Sequence, residues 1–285
     1  MRLAPKLAMS NIAWSPEERL EAYAILAEAG FTELEIAPGL FFHAAEDPFL
    51  PDTASARRAR AEAANAGLAV VSMQSLLFGV TGASLFEGAE ARAAFEAGMR
   101  RAIALAERFG IPNLVFGSPL QRRVPEGLAM ADALDQAAAV FRRLGDAAAA
   151  ADTRIGIEAN PAAYGTNFCT TLDEALGFVG QVDHPAIVPH LDLGAMHMNG
   201  DFASVPQRLP ALAPRLSHVH VSEPGLAPAP ADPAALAPVL AGLGAQGYSG
   251  AISIEMKRAP EGLAAVRRAV RGLAEAVRQA EALHA

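Results

Sequence analysis

Eight short apolar segments alternate with eight longer amphipathic segments along this chain of 285 residues. Several apolar segments are nearly continuous in Val, Ile and Leu, which is typical of strands buried on both faces. Such alternation predicts a parallel sheet with right-handed crossovers, and eight repeats favour closure into a (β/α)8 barrel. The predicted strands are Leu7–Ile12, Glu33–Ala37, Ala69–Gln74, Asn113–Gly117, Arg154–Glu158, Ile187–Asp192, Leu216–Val221 and Ala251–Glu255. The predicted helices cover residues 16–29, 54–66, 89–109, 128–151, 171–181, 205–213, 233–244 and 260–283.

Capping signals agree with these boundaries. Ser15–Glu18 has a serine, a proline and a glutamate in the order that begins a helix, and Thr171–Glu174 repeats the pattern. No break in composition or linker interrupts the repeats, so we predict a single domain over residues 1–285. Four glycines are predicted to end helices, namely Gly30, Gly67, Gly110 and Gly247.

Charge and composition narrow the classes of function. The net charge is −8, from 31 acidic and 23 basic residues, which disfavours a nucleic-acid partner. A single cysteine, Cys169, excludes an intramolecular disulfide and a thiolate zinc cluster. No segment has the roughly 20 apolar residues of a membrane span, and the first residues do not resemble a signal peptide. We therefore expect a cytoplasmic protein without a membrane partner.

Four successive predicted strands end in a carboxylate or an imidazole. These residues are Glu158, Asp192, His220 and Glu255. The carboxyl ends of barrel strands meet at one mouth, and ionised carboxylates buried there are costly unless they are paired or bind a metal. An oxygen-rich set with one imidazole predicts a single divalent ion, manganese first, with magnesium or cobalt as alternatives. His218 points the same way as His220 and is predicted to lie one layer deeper.

The chain resembles the sugar phosphate isomerase/epimerase family, the xylose-isomerase-like barrels that include ketose 3-epimerases. The resemblance implies that the four strand-end residues bind the metal and that Glu158 and Glu255 also act as acid and base. One carboxylate would remove a proton next to a carbonyl, and the other would return it to the opposite face of a cis-enediolate. The matching segments, which run nearly the whole length of the chain, are Ser10–Trp14, Glu35–Pro38, Gln74–Gly79, Phe116–Pro119, Ile157–Pro161, Tyr164–Phe168, Leu191–Ala195, His218–Pro224 and Ile254–Met256.

The substrate implied is a small sugar or sugar derivative. The chain has Ala195 where ketose epimerases commonly place a substrate-contacting histidine, with His197 two residues later, and Ala159 where proline is frequent. These departures leave a ketose, a keto-glycoside, an inosose and a sugar acid open as substrates. The predicted substrate contacts are Asn11, Trp14, Gln74, Arg122, His197 and Glu223.

Several of these residues have a second interpretation. Asn11 and Gln74 would otherwise be satisfied by backbone hydrogen bonds, and Trp14 would otherwise pack a loop. Arg122 would clamp an anion or form a surface salt bridge. Glu35, outside this set, would reach the mouth or pair with an arginine.

Other functions are compatible with the same barrel. A lyase or dehydratase acting on a keto-sugar or inosose also begins by removing a proton next to a carbonyl. A non-catalytic sugar-binding barrel is a third hypothesis, although a binder has no need of two opposed carboxylates. A DNA-repair nuclease is disfavoured by the acidic balance and by the small number of histidines. By analogy with related barrels, a homo-oligomer, either a dimer or a tetramer, is expected.

Overall fold

A computed structural model, which describes residues 6–283, contains a closed parallel barrel of eight strands in chain order. Strand β1 pairs with β2 on one side and with β8 on the other, which confirms the predicted (β/α)8 architecture. The seventh strand was predicted to begin two residues before its observed start and to end one residue before its observed end. The strands are β1 Lys6–Ser10, β2 Glu33–Ile36, β3 Ala69–Met73, β4 Asn113–Phe116, β5 Arg154–Glu158, β6 Ile187–Asp192, β7 His218–Ser222 and β8 Ala251–Glu255.

Each predicted helical segment contains an α-helix, and two short helices that were not predicted follow β2 and β6. The predicted first helix is divided, because Pro16–Glu18 forms a 3-10 turn before α1 begins. The helices are α1 Arg19–Glu28, α2 Pro38–Phe41, α3 Thr53–Asn65, α4 Ala89–Phe109, α5 Met130–Ala150, α6 Leu172–Val182, α7 Leu193–Met198, α8 Val205–Leu212, α9 Pro233–Ala245 and α10 Leu263–Ala282.

The predicted caps are present. The carboxylate of Glu18 accepts a hydrogen bond from the backbone of Ser15 at 2.9 Å, and the Thr171 hydroxyl accepts one from the backbone of Glu174 at 3.2 Å. Gly110 ends α4 with a φ of 64°, a left-handed conformation that glycine adopts without steric cost. The other three predicted helix-ending glycines also have positive φ.

The chain divides into two compact units. The first comprises the described residues up to Val71 together with those from Asp192 onward. Here β7, β8, β1 and β2 are neighbours, and β7 and β8 are paired so that His220 is level with Ser253, and Ser222 with Glu255. Since side chains two apart on a strand face the same side, His218, His220 and Ser222 share one face of β7.

The second unit is the continuous segment Ser72–Leu191. Its core is a chain of aromatic rings in which Phe141 contacts Phe116 at 5.0 Å and Phe178 at 5.4 Å between centroids. Phe95 packs on Phe116, and Phe168 on Phe178, with the rings edge to face. This cluster joins α4, α5 and α6 to β4 and places the carboxyl ends of β4 and β5 on a rigid base.

No helix among residues 6–283 combines the length and the apolar character that crossing a membrane requires. The single-domain organisation and the cytoplasmic location stay predictions.

Candidate metal centre

Strand β7 supplies two buried imidazoles to the first unit. His220 is fully buried and His218 is 1% exposed, although both are polar groups in the middle of a barrel. Buried polar side chains persist only when their hydrogen-bonding capacity is used. The sequence expectation that His218 lies in the interior is therefore met.

Both imidazoles contact Glu35, which is itself fully buried near the end of β2. The His220 Nε2 atom lies 3.0 Å and 3.1 Å from the two carboxylate oxygens of Glu35, and His218 Nε2 lies 2.9 Å from Oε2. An ionised carboxylate only accepts hydrogen bonds, so His220 donates from Nε2. Burial alone would raise the pKa of Glu35, but its interactions with His220 and His218 hold that pKa well below the usual value.

Of the two alternatives considered for Glu35, pairing with an arginine is wrong. Its carboxylate is fully buried, and its partners are the two histidines. The reason is its depth, since a fully buried carboxylate is stabilised by donors within the barrel interior.

The other nitrogen of His220 faces two further carboxylates. Its Nδ1 atom lies 3.2 Å from Glu255 Oε2 and 3.7 Å from Asp192 Oδ2. The ligand atoms of Asp192, His220 and Glu255 lie within 4.8 Å of one another. Three of the four predicted metal ligands, the last residues of β6 and β8 and the middle residue of β7, are thus brought together within the first unit.

Asp192 is held in place by its own local structure. One oxygen accepts a hydrogen bond from the backbone of Ala195 and thereby caps α7, and the other accepts a hydrogen bond from the Ser222 hydroxyl. The same hydroxyl accepts a hydrogen bond from the backbone of Gly194 at 2.8 Å. The short helix after β6 therefore orients the aspartate toward β7.

The chemistry of this set fits a divalent cation. Two carboxylates and the Nδ1 side of one imidazole converge, and such acceptors repel one another unless a positive charge lies between them. Oxygen ligands with one imidazole suit magnesium, manganese or cobalt. Serine, backbone and imidazole contacts outside the set orient the ligands, as is usual around protein metal sites.

Glu158, the fourth predicted ligand, belongs to the second unit. Its Oε2 atom accepts a hydrogen bond from the Asn160 side chain at 2.7 Å, and His190 Nε2 lies 3.6 Å from Oε1. A methyl group added at Gly117 would lie 2.5 Å from Oε2. The carboxylate thus occupies space that only a glycine at the end of β4 leaves open, a contact that sequence reasoning missed.

Arg122 is completely buried, so the surface salt bridge considered for it is wrong. Its Nη1 donates to the backbone oxygen of Glu158 at 2.8 Å, and its guanidinium lies 5.6 Å from the ring centre of Phe116. Burial lowers its pKa from the usual value. Among the described residues, Nε and Nη2 have no hydrogen-bond partner. Arg122 therefore lies behind the Glu158 backbone, and its predicted clamp on a substrate anion has no support in this arrangement.

Two other predicted substrate contacts are used inside the protein. Both polar atoms of the Asn11 side chain bind the backbone of Ala37, with the Ala37 amide donating at 2.7 Å, which is the backbone alternative considered for this residue. Trp14 is 3% exposed and packs edge to face on Tyr23. These contacts favour a structural role over a substrate contact for both Asn11 and Trp14.

The remaining predicted contacts differ in exposure. Gln74 is buried just after β3, and Glu223 accepts a hydrogen bond from the backbone of Ala231 at 2.8 Å in the loop after β7. His197 is partly exposed and stacks on Phe202, with ring centres 3.8 Å apart and planes 12° from parallel. Their roles toward a substrate stay predictions.

Comparisons with known proteins give a family and a fold. The family model described as xylose isomerase-like TIM barrel matches residues 23–276. No match was found among curated proteins. Among solved structures, an L-ribulose 3-epimerase aligns with a TM-score of 0.75 at 20% identity, covering 99% of this chain and 98% of its own.

Two further solved structures are similar over nearly their whole length. A 3-keto-D-glucoside 4-epimerase from E. coli has a TM-score of 0.73 at 19% identity, covering 94% of this chain and 98% of its own. A D-psicose 3-epimerase from Clostridium cellulolyticum H10, solved with D-tagatose, has a TM-score of 0.70 at 17% identity, covering 97% and 96%. At these identities the likeness establishes a shared fold.

Proposed function

Because the chain belongs to the xylose isomerase-like TIM barrel family, we propose that it is a divalent-metal-dependent sugar epimerase or isomerase. The observation that carries this proposal is the convergence of Asp192, His220 and Glu255 from three successive strands. The three similar structures are all epimerases, one of them a 3-keto-D-glucoside 4-epimerase, and they support the same class of substrate. Manganese is the proposed ion.

Glu158 is proposed as the fourth ligand. The support is its place at the end of β5, next in order to β6 in a closed parallel barrel whose strand ends form the usual active-site face. The family resemblance assigns the same four positions. Asn160 donates a hydrogen bond to the Glu158 carboxylate, and the absence of a side chain at Gly117 leaves room for it. Both features favour one orientation of the carboxylate, which a metal ligand needs.

The bound ion would act as a Lewis acid toward the carbonyl and hydroxyl oxygens of the sugar. Glu158 and Glu255 are proposed to exchange the proton on the carbon next to the carbonyl. One carboxylate removes it, leaving a cis-enediolate, and the other delivers a proton to the opposite face, so atoms and charge balance over one turnover. The low exposure of Glu255, 8%, limits competition from water for this proton.

The central test is metal-dependent exchange of the substrate proton. Wild-type protein loaded with Mn²⁺ is incubated in D₂O with ketoses, inososes and 3-keto-glycosides, then freed of manganese for proton NMR. Deuterium is expected next to the carbonyl of the true substrate, and removal of the ion with a chelator is expected to abolish it. Epimer or positional isomer as product supports the proposal, whereas loss of water from the sugar would indicate the dehydratase instead. Metal and sugar binding without exchange would contradict the proposal and favour a sugar-binding barrel.

Gly117→Ala tests whether Glu158 must keep its observed orientation. The added methyl group meets the mobile end of the Glu158 side chain, so the carboxylate has to move while the backbone does not. We expect turnover to fall by about 100-fold, the cost of displacing a reacting group by about 1 Å. Thermal unfolding should change little.

Gly180→Ala is the matched control, because a methyl group there meets nothing within 4 Å and lies on α6. It should leave turnover unchanged and raise stability slightly. Equal activity of the Gly117→Ala protein and wild type would contradict the role of this contact.

We also propose that the protein is cytoplasmic, that it forms a homo-oligomer and that its substrate is a small sugar or sugar derivative. Gel filtration with light scattering tests the oligomer, and a dimer or tetramer is expected.

A further inference from the structure

We propose that Glu35 is a positioning residue that fixes His220 so that its Nδ1 atom faces the metal ion. This inference rests on the proposed metal-dependent function and deepens it. Glu35 has no place in the ligand set of Glu158, Asp192, His220 and Glu255. Its position near the end of β2, on the far side of the His220 ring from Asp192 and Glu255, is what suggests a separate role.

The two ring nitrogens of His220 have opposite surroundings. Nε2 lies between the two oxygens of Glu35, at 3.0 Å and 3.1 Å, whereas Nδ1 points to Glu255 and Asp192. A hydrogen bond from Nε2 to the Glu35 carboxylate places a proton on Nε2. The lone pair is then on Nδ1, where a cation can accept it. The hydrogen bond also raises the basicity of the ligand nitrogen.

His218 keeps Glu35 from adjusting. Its Nε2 atom lies 2.9 Å from Glu35 Oε2, and its ring stands at 86° to that of His220, with centres 5.3 Å apart. The carboxylate therefore contacts two imidazoles whose rings are nearly perpendicular, and rotation to follow a displaced His220 would break the contact with His218. All three residues are at most 1% exposed, so water cannot replace either imidazole.

A purely structural ion pair would make a different prediction. It would lower stability when broken but would leave the affinity of the remaining folded protein for metal unchanged. Metal affinity and the position of the His220 proton are thus the measurements that separate the two roles.

The test compares Glu35→Gln with Glu33→Gln by calorimetric titration with Mn²⁺. Glutamine is neutral and has a donating NH₂ group in place of one carboxylate oxygen, so it cannot present an accepting oxygen at both positions that now contact the imidazoles. We expect the Glu35→Gln protein to bind Mn²⁺ about 10- to 100-fold more weakly than wild type. Glu33 lies two residues earlier on β2, is 8% exposed and interacts with Lys6, so its replacement should leave the affinity unchanged.

A second measurement needs no variant. In metal-free wild type labelled with ¹⁵N-histidine, long-range proton–nitrogen correlation is expected to show the His220 proton already on Nε2, before any ion can impose that tautomer. A proton on Nδ1, or equal Mn²⁺ affinity of folded Glu35→Gln and wild type, would overturn the inference while leaving the proposed enzyme intact. Failure of wild type to bind any divalent ion would overturn both.

Discussion

Glu255→Gln is expected to lower turnover of the substrate by about 10²- to 10⁴-fold, because an amide cannot take up the proton that the carboxylate removes. The substitution keeps the shape of the side chain and an oxygen that faces His220, so it separates proton transfer from packing. Rates are measured by NMR at saturating Mn²⁺, with bound metal determined in parallel. Glu33→Gln, the same change at another buried strand position, should retain wild-type turnover.

The two-carboxylate scheme makes a sharper prediction when the single variants Glu255→Gln and Glu158→Gln are compared. In that scheme each carboxylate would face one side of the reacting carbon, so each variant should still exchange deuterium into one epimer and fail with the other. Neither should interconvert the epimers. If a metal-loaded Glu255→Gln protein interconverts them at the wild-type rate, Glu255 is not a proton-transfer group. If both metal-loaded variants lose exchange with the same epimer only, the assignment of one face to each carboxylate is wrong.

Phe141→Ala is expected to lower the free energy of unfolding by about 3–5 kcal/mol. Phe141 is fully buried and contacts the rings of Phe95, Phe116 and Phe178, so truncation leaves a cavity lined by large side chains that cannot all move inward. Unfolding in urea, monitored by far-ultraviolet circular dichroism, gives the difference.

Phe78→Ala is the matched control, since this phenylalanine is 58% exposed. Its replacement should change stability by no more than about 0.5 kcal/mol. An equally small effect at Phe141 would mean that the aromatic cluster does not hold the second unit together.

The barrel and the convergence of three candidate ligands were predictable because both depend on short-range patterns. Apolar runs of four to six residues mark the strands, and the last polar residue of a barrel strand points to the mouth. Asp192 and Glu255 follow from that rule alone, whereas the last polar residue of β7 is Ser222 and His220 lies two residues before it. Helix α7 has only six residues, too few to show a helical period, and its start depends on the side chain of Asp192.

The surroundings of the ligands could not be predicted in the same way. Nothing near Glu35 in the sequence indicates a contact with two imidazoles, since the pairing depends on how β2 and β7 come together. Arg122 looks like an ordinary exposed arginine after a strand, and only tertiary packing reveals that it is enclosed with Phe116. Gly117 matters for the side chain it lacks, which leaves no signal in the residues beside it.

The separation of Glu35 from His220, 185 positions along the chain, also bears on how the protein is made. At about 5–20 residues per second, a ribosome releases Glu35 roughly 10–40 s before it releases His220. The continuous segment Ser72–Leu191 can make all of its internal contacts during that interval. Strands β1 and β2 cannot bury Glu35 with its charge compensated until β7 has emerged. A nascent chain stalled before residue 218 therefore presents an apolar strand with an uncompensated carboxylate, the kind of surface that chaperones shield.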